Sequence, residues 1–118
     1  MPSILLISGL APSILFIILK LNDYIMNNKK RYRITVSGRV QGVGFRFFTR
    51  DAAQTLGLSG WVMNLSGGGV ELEAEGEQSA IDRLIEELRQ GPPLSRVTDL
   101  DVQELAATGG SGEFFIRR

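Results

Sequence analysis

The apolar positions of this chain change period several times, and each change marks an element. Tyr32, Ile34 and Val36 alternate with Arg33, Thr35 and Ser37, the two-residue period of a half-buried strand. Phe45, Phe48, Ala52, Ala53 and Leu56 then recur at helical spacing, and Gly57 supplies a stop. Alternation returns at Trp61, Met63 and Leu65, set against Val62 and Asn64, and again at Val70, Leu72 and Ala74, set against Glu71, Glu73 and Glu75. The glycine-rich residues 66–69 between them predict a hairpin turn. Ser79 with Asp82 three residues later resembles a capping box, and Ile81, Leu84, Ile85 and Leu88 form the stripe of a second helix that ends before Gly91-Pro92-Pro93. Residues 96–105 read as a fourth strand, 106–112 as a flexible connection, and 113–117 as a last short strand.

The order is therefore βαββαβ. Two helices with one apolar stripe each, and a sheet with one oily face, are both satisfied when the helices pack side by side on that face. This predicts an α+β, ferredoxin-like sandwich with an antiparallel sheet and two helices on one face. The architecture serves binding, regulatory and catalytic proteins alike, so it does not choose among functions.

The chemistry concentrates in residues 37–46, Ser-Gly-Arg-Val-Gln-Gly-Val-Gly-Phe-Arg, which join the first strand to the first helix. Gly38, Gly42 and Gly44 permit positive φ and close approach to the main chain. Backbone amides converging at a helix N-terminus meet an anion, and Arg46 on the first helical turn can fork onto two oxygens of the same group. The segment has neither the Walker pattern nor Gly-x-Gly-x-x-Gly spacing. From spacing alone, a plain turn followed by a solvated arginine is the more usual outcome, and a phosphate cradle stays open beside it.

Composition narrows the remaining choices. There is no cysteine and no histidine, so thiolate or imidazole metal sites, cysteine nucleophiles and histidine triads are excluded. Thirteen Lys and Arg balance thirteen Asp and Glu, which gives no basic footprint for nucleic acid. The run Glu71, Glu73, Glu75, Glu77 reads as a solvated strand face, and Trp61 and Phe48 as core.

Residues 1–28 differ from the rest. No charge occurs before Lys20, Gly9 and Pro12 interrupt the apolar run, and the cations Lys20, Lys29, Lys30 and Arg31 follow it, the wrong order for a cleavable signal peptide. Three readings stay open: an upstream extension with Met26 as the initiator, a membrane anchor through residues 1–19, or an extra structured helix. The expected division is an apolar extension over 1–28 and a folded domain over 29–118.

Gly38-Arg39-Val40-Gln41-Gly42-Val43-Gly44-Phe45-Arg46, followed by Ala53, Leu56-Gly57-Leu58, Gly60-Trp61-Val62, Asn64, Gly69-Val70-Glu71 and Gly76, resembles the acylphosphatase family in order and spacing. The likeness extends from about Tyr32 to the end and includes Gly91-Pro92-Pro93 and Phe114-Phe115-Ile116-Arg117. It implies a small hydrolase that cleaves acyl phosphates to a carboxylate and inorganic phosphate, with no metal, cofactor or covalent intermediate. It implies catalytic roles for Arg46 and Asn64, with the phosphate held by Gln41, Gly42, Val43, Gly44, Phe45 and Arg46, and water oriented by Asn64. The expected partner is a small acyl phosphate alone, without nucleic acid, and the expected state is a cytoplasmic monomer that meets a membrane only if the extension is translated. The rival readings are a non-hydrolytic phosphate-binding module of the same fold and an acyl-phosphate-processing domain of a larger carbamoyl-transfer protein.

Overall fold

The computed structural model describes residues 9–118. Its elements are α1 (Pro12–Asn27), β1 (Lys29–Arg39), α2 (Phe45–Thr55), β2 (Ser59–Asn64), β3 (Val70–Glu77), α3 (Gln78–Gln90), β4 (Arg96–Leu105) and β5 (Phe114–Ile116). From β1 onward this is the expected βαββαβ order with a fifth short strand. The strands form one sheet in the order β4-β1-β3-β2-β5. One pairing departs from the all-antiparallel expectation: β5 runs parallel to β2, matching Gly60 with Phe114 and Val62 with Ile116, so the sheet is mixed. Alternation within a strand gives its faces but not the direction of its neighbour.

The register lines up Val102, Ile34, Leu72, Val62 and Ile116 in one row across all five strands. Ile34, Leu72 and Val62 in that row are fully buried beneath the two helices. Helix α2 contributes Phe45, Thr49 and Ala53, at i, i+4 and i+8, and α3 contributes Ile81, Leu84 and Leu88. Val40 and Phe114 join the same core, which closes the loop after β1 and the chain end onto one apolar cluster. No cap comes from Ser79: α3 begins one residue earlier, behind Glu77, with no side-chain cap, and Gln78 instead donates to Asp82 Oδ1 at 2.9 Å.

The opposite face of the sheet corrects the reading of the glutamates. Glu75 is only 2% exposed, and Glu73 is almost as buried. Arg31 donates to Glu73 Oε1 at 2.8 Å and to Glu75 Oε1 at 3.2 Å, and Arg33 donates to Glu73 Oε2 at 2.8 Å. Glu75 also accepts from the amides of Thr108 and Gly109, each at 2.8 Å, and from the Thr108 hydroxyl. The connection after β4 is thus tied to the middle of the sheet. Trp61 also lies on this face, outside the core, with the Arg117 guanidinium 4.5 Å from its ring centroid. Phe48 is half-buried, its ring centroid 6.1 Å from that of Phe45.

Helix α1 carries apolar side chains on all sides, and no element among the described residues covers them: Ile14, Phe16, Ile17, Leu19 and Leu21 are exposed, Ile17 to 63%. No helix among the described residues is long and apolar enough to cross a membrane. The anchor expected over residues 1–19 falls partly on residues 1–8, which lie outside the described residues, as does Met1.

Candidate active site

The segment between β1 and α2 is held from below by apolar side chains and opened above by glycine. Val40 and Phe45 are buried, and Val43 packs against the core between them. Gly42 and Gly44 have φ of +73° and +80°, and nothing lies within 4 Å of the position a Cβ would take at either one. Their requirement for glycine is therefore conformational, since the left-handed region is costly for other residues. Gly38 differs. Its φ is +121°, and an added Cβ would run into the Arg96 carbonyl oxygen, where the β1–β4 pairing slips by a residue. Gly38 serves the sheet and makes no opening for a ligand.

Gly44 caps α2 without any side-chain acceptor. The first bond into the helix is Phe48 N–H to the Gly44 carbonyl at 3.0 Å, and among the described residues no backbone carbonyl accepts from the amides of Gly42, Val43, Gly44, Phe45 or Arg46. Such orphan donors at the positive end of an eleven-residue helix suit an anion. Arg46 lies on this first turn, half-buried, and takes part in none of the ion pairs among the described residues.

Asn64 is the last residue of β2. It shares a face with Val62 two positions earlier, the face the helices cover. Its Oδ1 is buried and has no hydrogen-bond partner among the described residues. An unsatisfied buried acceptor costs about 1–3 kcal/mol, so it is retained only with a reason. In the sheet register Asn64 pairs with Val70 and Val70 with Val36, which puts the end of β2 in one row with the last part of β1 before the loop. The loop and Asn64 therefore occupy the same end of the sheet. Gln41 joins them directly: its Nε2 donates to the Leu65 carbonyl at 2.7 Å and the Gly69 carbonyl at 2.8 Å, on either side of the β2–β3 turn.

Sequence reasoning missed this side-chain role of Gln41. The two Nε2 protons could be counted from the residue type, but their acceptors, 24 and 28 residues away, could not be named. One cleft lies elsewhere, beside Ser59, Glu75, Gly109, Gly110 and Gly112. No group of three or more His, Cys, Asp or Glu able to hold a metal ion occurs among the described residues.

Comparison with known proteins points in one direction. The family model for acylphosphatase matches residues 32–116. An acylphosphatase from Methylococcus capsulatus is 52% identical over 89 residues, 75% of this chain and 97% of that protein. Among solved structures, an acylphosphatase from Coxiella burnetii superposes with a TM-score of 0.73 at 44% identity, covering 77% of this chain and 95% of the other. Full-length HypF, solved in a phosphate- and nucleotide-bound form, matches with a TM-score of 0.71 at 35% identity; there the match spans 76% of this chain but 12% of HypF.

Proposed function

Because the chain belongs to the acylphosphatase family, we infer that its reaction is hydrolysis of the carboxyl-phosphate anhydride of acyl phosphates, without a metal, on the surface built by residues 41–46 and Asn64. As a member it is an acylphosphatase, a hydrolase acting on acid anhydrides. The observation that carries the finer reading is the pairing of two unmet needs at one sheet end. Among the described residues, the loop offers free amide donors beside an arginine without a carboxylate partner, and Asn64 offers a buried acceptor without a donor. A phosphoryl group answers the first and a water molecule the second.

The amides of residues 42–46 and the Arg46 guanidinium hold the phosphoryl oxygens, and their charge stabilisation grows as charge spreads over those oxygens in the transition state. Asn64 Oδ1 accepts one proton of a water and aims its oxygen at phosphorus. The P–O bond to the acyl group breaks as the new P–O bond forms, the carboxylate leaves with the bonding pair, and a phosphoryl oxygen takes the proton the water loses. A carboxylate is a good leaving group, so the chain needs positioning more than a strong base. That suits a sequence without histidine.

The test is benzoyl phosphate hydrolysis by the full chain in EDTA, beside Arg46→Ala and Asn64→Ala proteins shown to be folded. Each substitution is expected to lower turnover by about 10²–10³. Inhibition by inorganic phosphate is expected to weaken in Arg46→Ala and to persist in Asn64→Ala. Full turnover in Asn64→Ala would falsify the water-orienting role. Phosphate binding without any turnover would favour a non-hydrolytic module.

A further inference from the structure

Strands β1 and β2 are not neighbours. Strand β3 lies between them, so the backbone that enters the loop and the backbone that carries Asn64 are two strand spacings apart, about 10 Å. A phosphoryl group held by the loop and a water held by Asn64 must nevertheless meet within bonding reach. The loop has to lean across the end of β3, and something has to fix how far it leans.

We propose that Gln41 is the positioning residue that sets this distance, holding the phosphate loop in register with Asn64 through its side-chain amide; the proposal rests on the roles given above to the loop and to Asn64. Both acceptors of its Nε2 are backbone carbonyls, so the amide must present its NH₂ end and both protons are used. One acceptor belongs to Leu65, the residue directly after Asn64. The other, Gly69, also accepts from Leu65 N–H at 2.8 Å, while Leu65 accepts from Gly68 N–H at 3.2 Å. The β2–β3 turn is thus closed by its own backbone, and Gln41 grips a rigid object. On its own side, Gln41 lies between buried Val40 and left-handed Gly42, so its backbone cannot drift independently of the loop. The buried side chains of Val40 and Phe45 hold the loop from below, and this amide restrains its sideways wandering relative to Asn64.

The role differs from simple loop support in what it predicts. Phosphate contacts all lie on the loop and would survive a small shift of the whole loop, whereas alignment with the water would not. Near-attack geometry is steep enough that a misplacement of about 1 Å costs about a hundredfold.

The experiment compares Gln41→Glu, which keeps the shape but sets carboxylate oxygens against two carbonyl oxygens, with Gln41→Met, which keeps the length without donors or charge. Both are measured in the full chain for kcat on benzoyl phosphate and for the inhibition constant of inorganic phosphate, alone and combined with Asn64→Ala. The expected result is a fall in kcat of about 30- to 100-fold, a phosphate inhibition constant within about threefold of the parent, and little further loss when either substitution is added to Asn64→Ala. Parallel loss of kcat and phosphate affinity, losses that multiply in the double variant, or unchanged kcat would each overturn the proposal. If Gln41→Glu does not fold, Gln41→Met decides alone. Asn64→Ala by itself separates the two levels: if it keeps full turnover, the underlying site assignment has failed; if it loses turnover while Gln41→Met does not, only the positioning role has failed.

Discussion

Replacing Gly44 by alanine tests whether the amides at the start of α2 form the anion cradle. Gly44 has φ +80° and ψ 19°, and the new methyl group would touch nothing within 4 Å, so the cost is one of backbone conformation and not of collision. A left-handed alanine costs about 1–2 kcal/mol. Alanine also restricts the unfolded chain, which returns about 0.4–1 kcal/mol. The net loss is about 1 kcal/mol, or a fall in melting temperature of about 4–8 °C for a domain of this size. If the strain relaxes by rotating φ, the amides of Gly44, Phe45 and Arg46 swing away from their common focus, and phosphate loses its site. The assay is thermal unfolding followed by circular dichroism, with and without inorganic phosphate, alongside benzoyl phosphate turnover. At a hundred times its dissociation constant, phosphate should stabilise the parent by about 2.7 kcal/mol, and Gly44→Ala should lose most of that shift. Gly67→Ala is the control, since Gly67 is exposed, has no positive φ and has open space around its Cβ position. A Gly44→Ala protein with the parent's melting temperature and the parent's response to phosphate would refute the cradle.

Two further outcomes follow from other parts of the fold. Gly38→Ala drives a Cβ into the Arg96 carbonyl and close to Thr98 N, so it should lower the melting temperature more than Gly44→Ala does, by loosening β4 from β1; hydrogen exchange at residues 96–100 would report it. At Glu75, burial is the largest single influence and pushes the carboxyl pKa up, but the donors from Thr108, Arg31 and Gly109 together outweigh it, and the net pKa lies below the ordinary 4.5. A carboxylate with a depressed folded-state pKa contributes stability that is complete above its unfolded pKa and is lost as pH falls through the folded value. The urea midpoint of the parent should therefore hold steady near neutrality and drop below about pH 4.5, and Glu75→Gln should start lower and show a shallower acid slope. A Glu75→Gln protein with the parent's neutral-pH midpoint would remove the tie between β3 and the 108–109 connection as a source of stability.

What the sequence disclosed and what it withheld divide along a physical line. Periodicity reports the side on which a residue lies, and it placed Ile34, Leu72, Ile81 and Leu84 in the core where they are found. It was silent on what waits on the other side. Glu73 and Glu75 alternate as a wet face should, yet Arg31 and Arg33 meet them across the sheet from 40 to 44 residues away. Helix α2 starts at Phe45, after the glycines, as the motif requires, whereas Ser79 looked like a cap only because serine and aspartate three apart fit that pattern in many contexts. The loop and Asn64 were recognisable as a pair through family likeness alone. Nothing local in either segment tells that a strand lies between them or that Gln41 spans the gap.

The buried charges on the open face bear on the site as well as on stability. Shifting an antiparallel strand by one residue turns every side chain to the opposite face, so β1 must pair with β3 in one register for Ile34 and Val36 to reach the core and for Arg31 and Arg33 to reach the glutamates. A slip of β1 would turn its two guanidiniums toward the helices and leave the two carboxylates of β3 without partners on the open face, at a cost of several kcal/mol. That penalty falls on the wrong registers and leaves the right one alone. The same register aligns Val36 with Val70 and Val70 with Asn64, and so fixes where the loop leaves β1 relative to the asparagine on β2. The ion pairs sit on the face away from the helices, but they help determine that the two halves of the proposed site arise at matching heights. Gln41 then has only the sideways gap to set.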